Sequence, residues 1–330
     1  MTTSERFSAY RIDVNDGATR AGLAQLTLDD LAPGEIVIRT AYSSVNFKDA
    51  LAGTGEGKIL RRSPLVGGID VAGVVESSSD ARFKPGDRVL VTGCGLSETR
   101  DGGYSEFARL ESRWAVRLPD GLSLRDSMII GTAGFTAALA LYRMTQNRQT
   151  PALGPLCVTG ATGGVGSLAV DIFSRAGYAV HAVSGKPQHA AYLREIGAAE
   201  VLGRDALATT RPMESTRFGG GLDNVGGPML ASLLAQTAPF GNVASAGLAA
   251  SSRLDATVMP FIIRGVSLLG VASANTARDI RDAIWQRLAT DWKPAHLDRI
   301  CTREVALDGL GAVFRTMLAG GSVGRTLVRL

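Results

Sequence analysis

The glycine-rich turn Gly160-Ala-Thr-Gly-Gly-Val-Gly166 stands between two apolar segments of different period. Pro155-Leu-Cys-Val158 reads as a short buried strand, and Ser167-Leu-Ala-Val-Asp-Ile-Phe-Ser-Arg175 repeats its apolar residues at helical spacing. A helix N-terminus entered through glycine offers unpaired backbone N–H groups and the positive end of a dipole, which is the chemistry that holds a pyrophosphate. Against the pattern G-x-G-x-x-G, Ala161 takes the first glycine's place, and Gly163 and Gly166 fill the other two. Thr162, Gly163, Gly164 and Val165 are therefore expected against a dinucleotide's phosphates.

The next strand ends the adenosine side of such a site. An acidic residue about 20 positions after the glycines usually binds the ribose hydroxyls there. Here Tyr178-Ala-Val-His-Ala-Val-Ser184 runs into Ser184-Gly185-Lys186. A hydroxyl, a glycine and a cation suit a 2′-phosphate, which a carboxylate would repel. Arg204, just after the third strand, adds a second positive charge. The set predicts NADPH in preference to NADH; the ordinary alternative is that Lys186 is a solvated residue opening a helix.

These residues require a doubly wound α/β sheet. From about 125 to 295, short apolar strands alternate with helical patterns. Strands are expected at 155–160, 178–184, 199–203, 221–225, 241–247 and 266–272, with helices at 164–176, 187–197, 228–237 and 276–290. Gly219-Gly-Gly221 is expected as a tight turn before a strand. Residues 1–124 are β-patterned, with strands in Glu35–Thr40, Gly73–Glu76 and Arg88–Thr92 and a turn at Lys84-Pro-Gly-Asp87. Residues 296–330 return to β patterning around a helix. The fold class is α/β: a Rossmann-type parallel domain over 125–295 and a β-rich, partly open barrel from 1–124 with 296–330.

Composition removes several classes of function. The chain has 330 residues, 35 basic and 31 acidic, for a net charge of +4 without a basic block, so nucleic acid is not an expected partner. Cys94, Cys157 and Cys301 are widely spaced and odd in number, which fits a reducing compartment and excludes a disulfide framework. The first residues lack a signal-peptide core, and no apolar run is expected to reach transmembrane length. The expected location is the cytoplasm.

Tyr42-Ser-Ser-Val-Asn-Phe-Lys-Asp49, Pro64-Leu-Val-Gly-Gly-Ile-Asp-Val-Ala-Gly-Val-Val75, Pro85-Gly-Asp-Arg-Val89, Asp101-Gly-Gly-Tyr-Ser-Glu-Phe-Ala108 and Gly131-Thr-Ala-Gly-Phe-Thr-Ala137 precede the glycine turn in this order. Together they resemble the medium-chain dehydrogenase/reductase superfamily. Ser44–Leu51, Gly57-Lys-Ile59, Met128–Thr136, Val258-Met-Pro-Phe-Ile262 and Gly324-Arg-Thr-Leu-Val328 resemble, more narrowly, its acryloyl-CoA reductase and quinone oxidoreductase family. The resemblance implies a GroES-like catalytic domain for the β-rich part and a homodimer, with the strand Val266–Val271 as an edge that pairs across a two-fold axis. Zinc-dependent members carry ligands where this chain has Asn46-Phe47-Lys48-Asp49 and Gly68-Ile69-Asp70, so no metal is expected. Reduction of a polarised C=C bond is then easier than alcohol oxidation.

In that chemistry a hydride reaches the β-carbon and charge builds on the carbonyl oxygen as an enolate, which needs hydrogen-bond donors. Asn46 is expected as the donor, and Phe47 beside the nicotinamide, where relatives are expected to carry tyrosine. Lys48 and Asp49 are second-tier candidates to deliver a proton or order the loop, the alternative being a surface ion pair on a loop or helix start. Thr136, Leu248, Ser273 and Arg325 are implied to line the cofactor's site, and Tyr104 to border the substrate. Lys58, Arg61 and Arg62 follow a glycine-rich loop and suit the phosphates of coenzyme A, a solvated charge run being the commoner explanation. Acryloyl-CoA is the implied substrate; a quinone reductase and a non-catalytic NADPH-binding sensor remain as alternatives.

Overall fold

The computed structural model describes residues 5–330. The described chain opens with an antiparallel hairpin, β1 (Phe7–Asn15) and β2 (Ala18–Leu26). Its turn, Asp16-Gly17, holds both residues at positive φ, 49° and 80°. That is the geometry whose twist suits a two-residue hairpin, and Asp-Gly is its sequence signature. β3 (Ile36–Ser44), α1 (Phe47–Thr54), β4 (Leu65–Val66), β5 (Asp70–Ser78), β6 (Arg88–Thr92), β7 (Phe107–Leu110) and β8 (Val116–Arg117) follow. β4 joins the hairpin, and β3, β5, β6 and β8 form an antiparallel succession with β7 added to β3. Ile36, Ile38, Val71, Val75, Val89 and Val91 alternate inward from three of these strands and close one core.

The chain then enters the helix α2 (Leu124–Gln146), broken at Gly131, where φ is 49° and ψ is −158°. By length and composition α2 passes for a membrane span, contrary to expectation. However, 78% of its most apolar window is buried within the protein, as befits a core helix. Two units result, Met1–Thr132 with Cys301–Leu330, and Ala133–Ile300. The boundaries lie a few residues beyond 124 and 295. At the first boundary the reason is local: the backbone N–H and hydroxyl of Thr132 both bond to Asp70, which keeps the first turns of α2 with the β-rich unit.

The second unit is a parallel sheet of β9 (Leu156–Thr159), β10 (Val180–Val183), β11 (Glu200–Leu202), β12 (Phe218–Asp223), β13 (Thr237–Ser245) and β14 (Ser267–Gly270), in the order β11-β10-β9-β12-β13-β14. The helices α3 (Gly164–Arg175), α4 (Ala190–Glu195), α5 (Gly227–Ala235), α6 (Met259–Arg264) and α7 (Arg278–Ala289) connect or flank it. The order steps outward from β9 in both directions, as in dinucleotide-binding sheets. One expectation fails here: Gly219-Gly-Gly221 is not a turn but the buried interior of β12. A Cβ at Gly220 would collide with the Asn242 carbonyl and one at Gly221 with the Cys157 carbonyl, so glycine answers to close strand packing.

The last strands, β15 (Cys301–Val305) and β16 (Arg325–Arg329), return to the first unit, separated by the helix Leu310–Leu318. β16 pairs antiparallel with β3 and completes a seven-stranded sheet. The helix packs Leu310, Val313 and Phe314 against Phe7, Tyr10 and Ile12 of β1 in the unit's second core.

Candidate active site

Three strand ends meet at one end of the seven-stranded sheet. β3 finishes at Ser44, β5 begins at Asp70, and β16 begins at Arg325; the antiparallel registers bring these ends together. After Ser44 the chain turns into α1 through Asn46, which is extended (φ −122°, ψ 161°) and caps the helix in a box with Asp49. Asp49 Oδ2 accepts the Asn46 backbone N–H at 2.8 Å, and its Oδ1 accepts the Ile69 N–H at 2.9 Å. The carboxylate thus ties α1 to the start of β5.

The side chains close on one another. Asn46 Nδ2 donates to Asp70 at 2.8 Å and to Asp49 at 3.2 Å, and its Oδ1 accepts from Arg325 at 3.1 Å. Arg325 is 3% exposed and also donates to the carbonyls of Ile129 and Val45, each at 2.9 Å, and to Ser44 Oγ at 2.6 Å. Ser44 passes the contact on, donating to Asp70 at 2.6 Å, while Thr132 Oγ1 donates to Asp70 at 2.6 Å. A Cβ on Gly131 would stand 2.7 Å from Asp70 Oδ2 and from Ser44 Oγ, and 2.8 Å from Arg325 Nη2, so only glycine carries the backbone past the cluster.

Burial of two carboxylates beside one guanidinium has electrostatic consequences. Burial first, and the charge of Asp70 second, push the Asp49 carboxyl up to about 7 against the hydrogen bonds from Asn46 and Ile69. Burial draws the Arg325 guanidinium down, opposed by Asp70 and Asp49. Tyr104 is fully buried and its phenol is raised well above its usual value, by burial and then by Asp49 and Asp70.

The expected residues divide accordingly. Asn46, Asp49 and Arg325 do converge, but both amide hydrogens of Asn46 are spent on carboxylates, and Arg325 is spent on Asn46, Ser44 and two carbonyls. Tyr104 borders no open surface: its hydroxyl donates to the Ser44 carbonyl at 3.1 Å beneath the cluster. Gly68, at φ 92°, makes room for its ring. Phe47, the first residue of α1, is 47% exposed and faces outward. Lys48 pairs with Glu98, which lies 3.9 Å from Arg61. Lys58, Arg61 and Arg62 are all exposed. Ser44, Asp70, Gly131 and Thr132 escaped attention as site residues; the signal was the run of polar residues, Ser43, Ser44 and Asp70, at the ends of apolar strands.

The second unit builds the nucleotide side. Gly160 (φ 59°) makes the tight turn one residue before the position of the pattern's first glycine, which lets Ala161 stand there, its N–H on the Val183 carbonyl. A Cβ on Gly166 would strike the Gly160 carbonyl, so α3 packs directly on the turn. Gly163 caps α3, and Thr162 Oγ1 and Ser184 Oγ lie 3.3 Å apart. Ser184 Oγ also accepts the Lys186 N–H at 3.1 Å, and the Arg204 guanidinium lies over Gly185, where a Cβ would collide with it. Burial, then the neighbouring Arg204 charge, lowers the Lys186 ammonium from its ordinary value. Two neighbouring cations, Lys186 just after β10 and Arg204 just after β11, suit a 2′-phosphate. Thr136 Oγ1 donates to Ser273 Oγ at 2.9 Å after β14, and Leu248 is exposed in the loop after β13. Among the described residues no group of three or more His, Cys, Asp or Glu is arranged to hold a metal.

A parallel nucleotide-binding sheet joined to a GroES-like unit defines a nicotinamide-dependent oxidoreductase. Residues 32–120 match the alcohol dehydrogenase GroES-like domain, and residues 164–290 match the zinc-binding dehydrogenase family. The chain belongs to the medium-chain dehydrogenase/reductase family. It is 42% identical over 329 residues, 99% of its length and 100% of the relative's, to "Putative quinone oxidoreductase YhfP" of Bacillus subtilis, whose solved structure with NAD bound superposes at TM-score 0.97. It is 43% identical to acrylyl-CoA reductase AcuI of Ruegeria pomeroyi, over 98% of both chains. The Salmonella enterica yhdH oxidoreductase, solved with NADP, is 42% identical, with TM-score 0.95 over 98% of this chain and 99% of that one.

Proposed function

We propose that the protein reduces the conjugated C=C bond of a short acyl-CoA, acryloyl-CoA to propanoyl-CoA, with NADPH. The observation that carries this is the closeness of two cations, Lys186 and the Arg204 that lies over Gly185, which would suit a 2′-phosphate, in a chain similar from end to end to an acrylyl-CoA reductase. Thr162, Gly163, Gly164 and Val165 would hold the pyrophosphate at the N-terminus of α3, with Ser184, Lys186 and Arg204 on the 2′-phosphate. When bound, NADPH supplies a hydride from C4 of its nicotinamide. The β-carbon accepts it, the C=C electron pair moves to the carbonyl as an enolate, and a proton then adds at the α-carbon.

The chain's own contribution is to stabilise that enolate. Because the Asn46 amide is committed to Asp49 and Asp70, its part is to fix the first turn of α1, where the Asp49 and Ala50 N–H groups bond to the Asn46 carbonyl and those of Phe47 and Lys48, ahead of them, have no intrahelical acceptor. The Phe47 and Lys48 N–H groups, at the positive end of the α1 dipole, are the donors we assign to the oxyanion. Phe47 supplies an apolar wall and no phenolic proton. Lys58, Arg61 and Arg62 supply exposed charge for the phosphates of coenzyme A.

Quinone reduction is the second function, favoured by the similarity to YhfP and by the apolar exposed Phe47. Steady-state rates on acryloyl-CoA and on a benzoquinone separate the two. Replacing Lys58, Arg61 and Arg62 by alanine should raise KM for the acyl-CoA about tenfold and leave the quinone's KM unchanged; an unmoved acyl-CoA KM contradicts the assignment.

We further propose a homodimer. β14 is an edge strand, and Phe240, Val258, Met259, Ile262, Ile263 and Leu268 expose apolar surface around it. A second copy paired along β14 would cover them; light scattering of the wild type and of Ile262→Arg tests this, a monomeric wild type being the contrary result. Cytoplasmic residence fits the three free cysteines, and cell fractionation checks it.

A further inference from the structure

Asp70 is fully buried and yet touches neither an exposed residue nor the outer face of α1. Its carboxylate accepts from four groups of three residues, Ser44 Oγ at the end of β3, Asn46 Nδ2 at the cap of α1, and the N–H and hydroxyl of Thr132 after the Gly131 break, and the Arg325 guanidinium of β16 faces it at 3.9 Å. Burying a carboxylate costs several kcal/mol unless such partners compensate it. An apolar residue in its place would leave Arg325 and the Ser44, Asn46 and Thr132 donors buried without their acceptor, so the carboxylate is required where it stands. What the charge does that an apolar residue does not is fix direction. It orients the Asn46 amide, and Asn46 in turn sets where α1 begins and how its first N–H groups point.

We propose that Asp70 is a positioning residue for the reaction: held by Ser44, Thr132 and Arg325, it acts through Asn46 to aim the first turn of α1 at the developing oxyanion. This rests on the proposed reductase activity. Asp49, Arg325 and Tyr104 are the titratable groups that face it, from α1, β16 and the segment before β7 respectively, with Cys301 of β15 beside Arg325. Gly131 belongs to the same device, since its missing side chain lets Thr132 reach the carboxylate.

The test is a double-mutant cycle between Asp70→Asn and Asn46→Ser, the serine keeping a helix cap while removing the amide. Wild-type turnover of acryloyl-CoA or of a quinone is scored first, so that failure of the proposed activity shows in the parent enzyme and failure of the positioning role only in the variants. Asp70→Asn should lower kcat about 30-fold or more, with KM for the acceptor and Kd for NADPH within about threefold of wild type. The double variant should lose no more than the worse single one, because both changes break one chain of contacts. If Asp70→Asn does not fold, Thr132→Val, which removes one donor and leaves the charge, takes its place in the cycle with a kcat loss of about three- to tenfold. Unchanged kcat in the folded variants, or losses that multiply, would overturn the proposal.

Discussion

Asp49 and Asp70 are hydrogen-bonded to the same atom, Asn46 Nδ2, at 3.2 and 2.8 Å. Burial first, and the charge of the neighbouring Asp70 second, push the Asp49 carboxyl up to about 7 against that shared hydrogen bond. In the unfolded chain it titrates near 4. Between these values the folded state binds the extra proton, so stability falls as pH rises from about 4 to about 7 and levels off above. Wild-type Tm should therefore drop relative to that of Asp49→Asn as pH is raised from 5 to 8, as calorimetry would record. A difference that stays constant, or grows in favour of the wild type, contradicts the raised carboxyl.

Gly131 should tolerate no side chain. Its φ of 49° with ψ of −158° is a region left to glycine, and the Cβ would overlap Asp70, Ser44 and Arg325. Gly131→Ala should cost at least about 2 kcal/mol and lower Tm by about 4–8 °C. Gly22→Ala in β2, with open space around it and no positive φ, should stay within about 0.5 kcal/mol. Thermal melts of the two variants make the comparison.

At the nucleotide side, Lys186→Ala and Arg204→Ala should each raise Kd for NADPH about tenfold to a hundredfold, the worth of a charge-assisted hydrogen bond. Kd for NADH should change less than about threefold. Titration of cofactor fluorescence measures both, and equal losses for the two cofactors would contradict a 2′-phosphate seat.

The oxyanion assignment has its own variant. Proline is favoured at the first position of a helix and lacks an N–H, and the extended Asn46 before it has the backbone that proline demands. Phe47→Ala and Phe47→Pro both remove the ring, and only the second removes the donor. Phe47→Pro should be slower than Phe47→Ala by about a hundredfold in kcat; equal rates would exclude the Phe47 N–H.

The nucleotide half was readable because its chemistry is local. Glycines, a strand and a helix occur within one stretch, and Ser184-Gly185-Lys186 follows at the spacing the sheet imposes. The Asp-Gly signal at residues 16–17 was equally local and marked a hairpin that the β-rich pattern left unplaced. The catalytic half depends on long-range pairing: the registers of β3 with β5 and β16 bring Ser44, Asp70 and Arg325 together across more than two hundred residues of chain. Nothing near Asn46 announces that its amide will be consumed by Asp70, and nothing near Gly219-Gly-Gly221 announces that three glycines will lie inside a buried strand. Both follow from neighbours that only the folded sheet supplies.

Hydride delivery from NADPH to the β-carbon of a conjugated acyl-CoA is read directly by isotope transfer. Acryloyl-CoA incubated with the enzyme and NADPH carrying deuterium at both C4 positions should yield propanoyl-CoA with one deuterium at C3 and none at C2, as read by mass spectrometry and NMR. Unlabelled product, label at C2, or NADPH oxidation only when a quinone is supplied would contradict it.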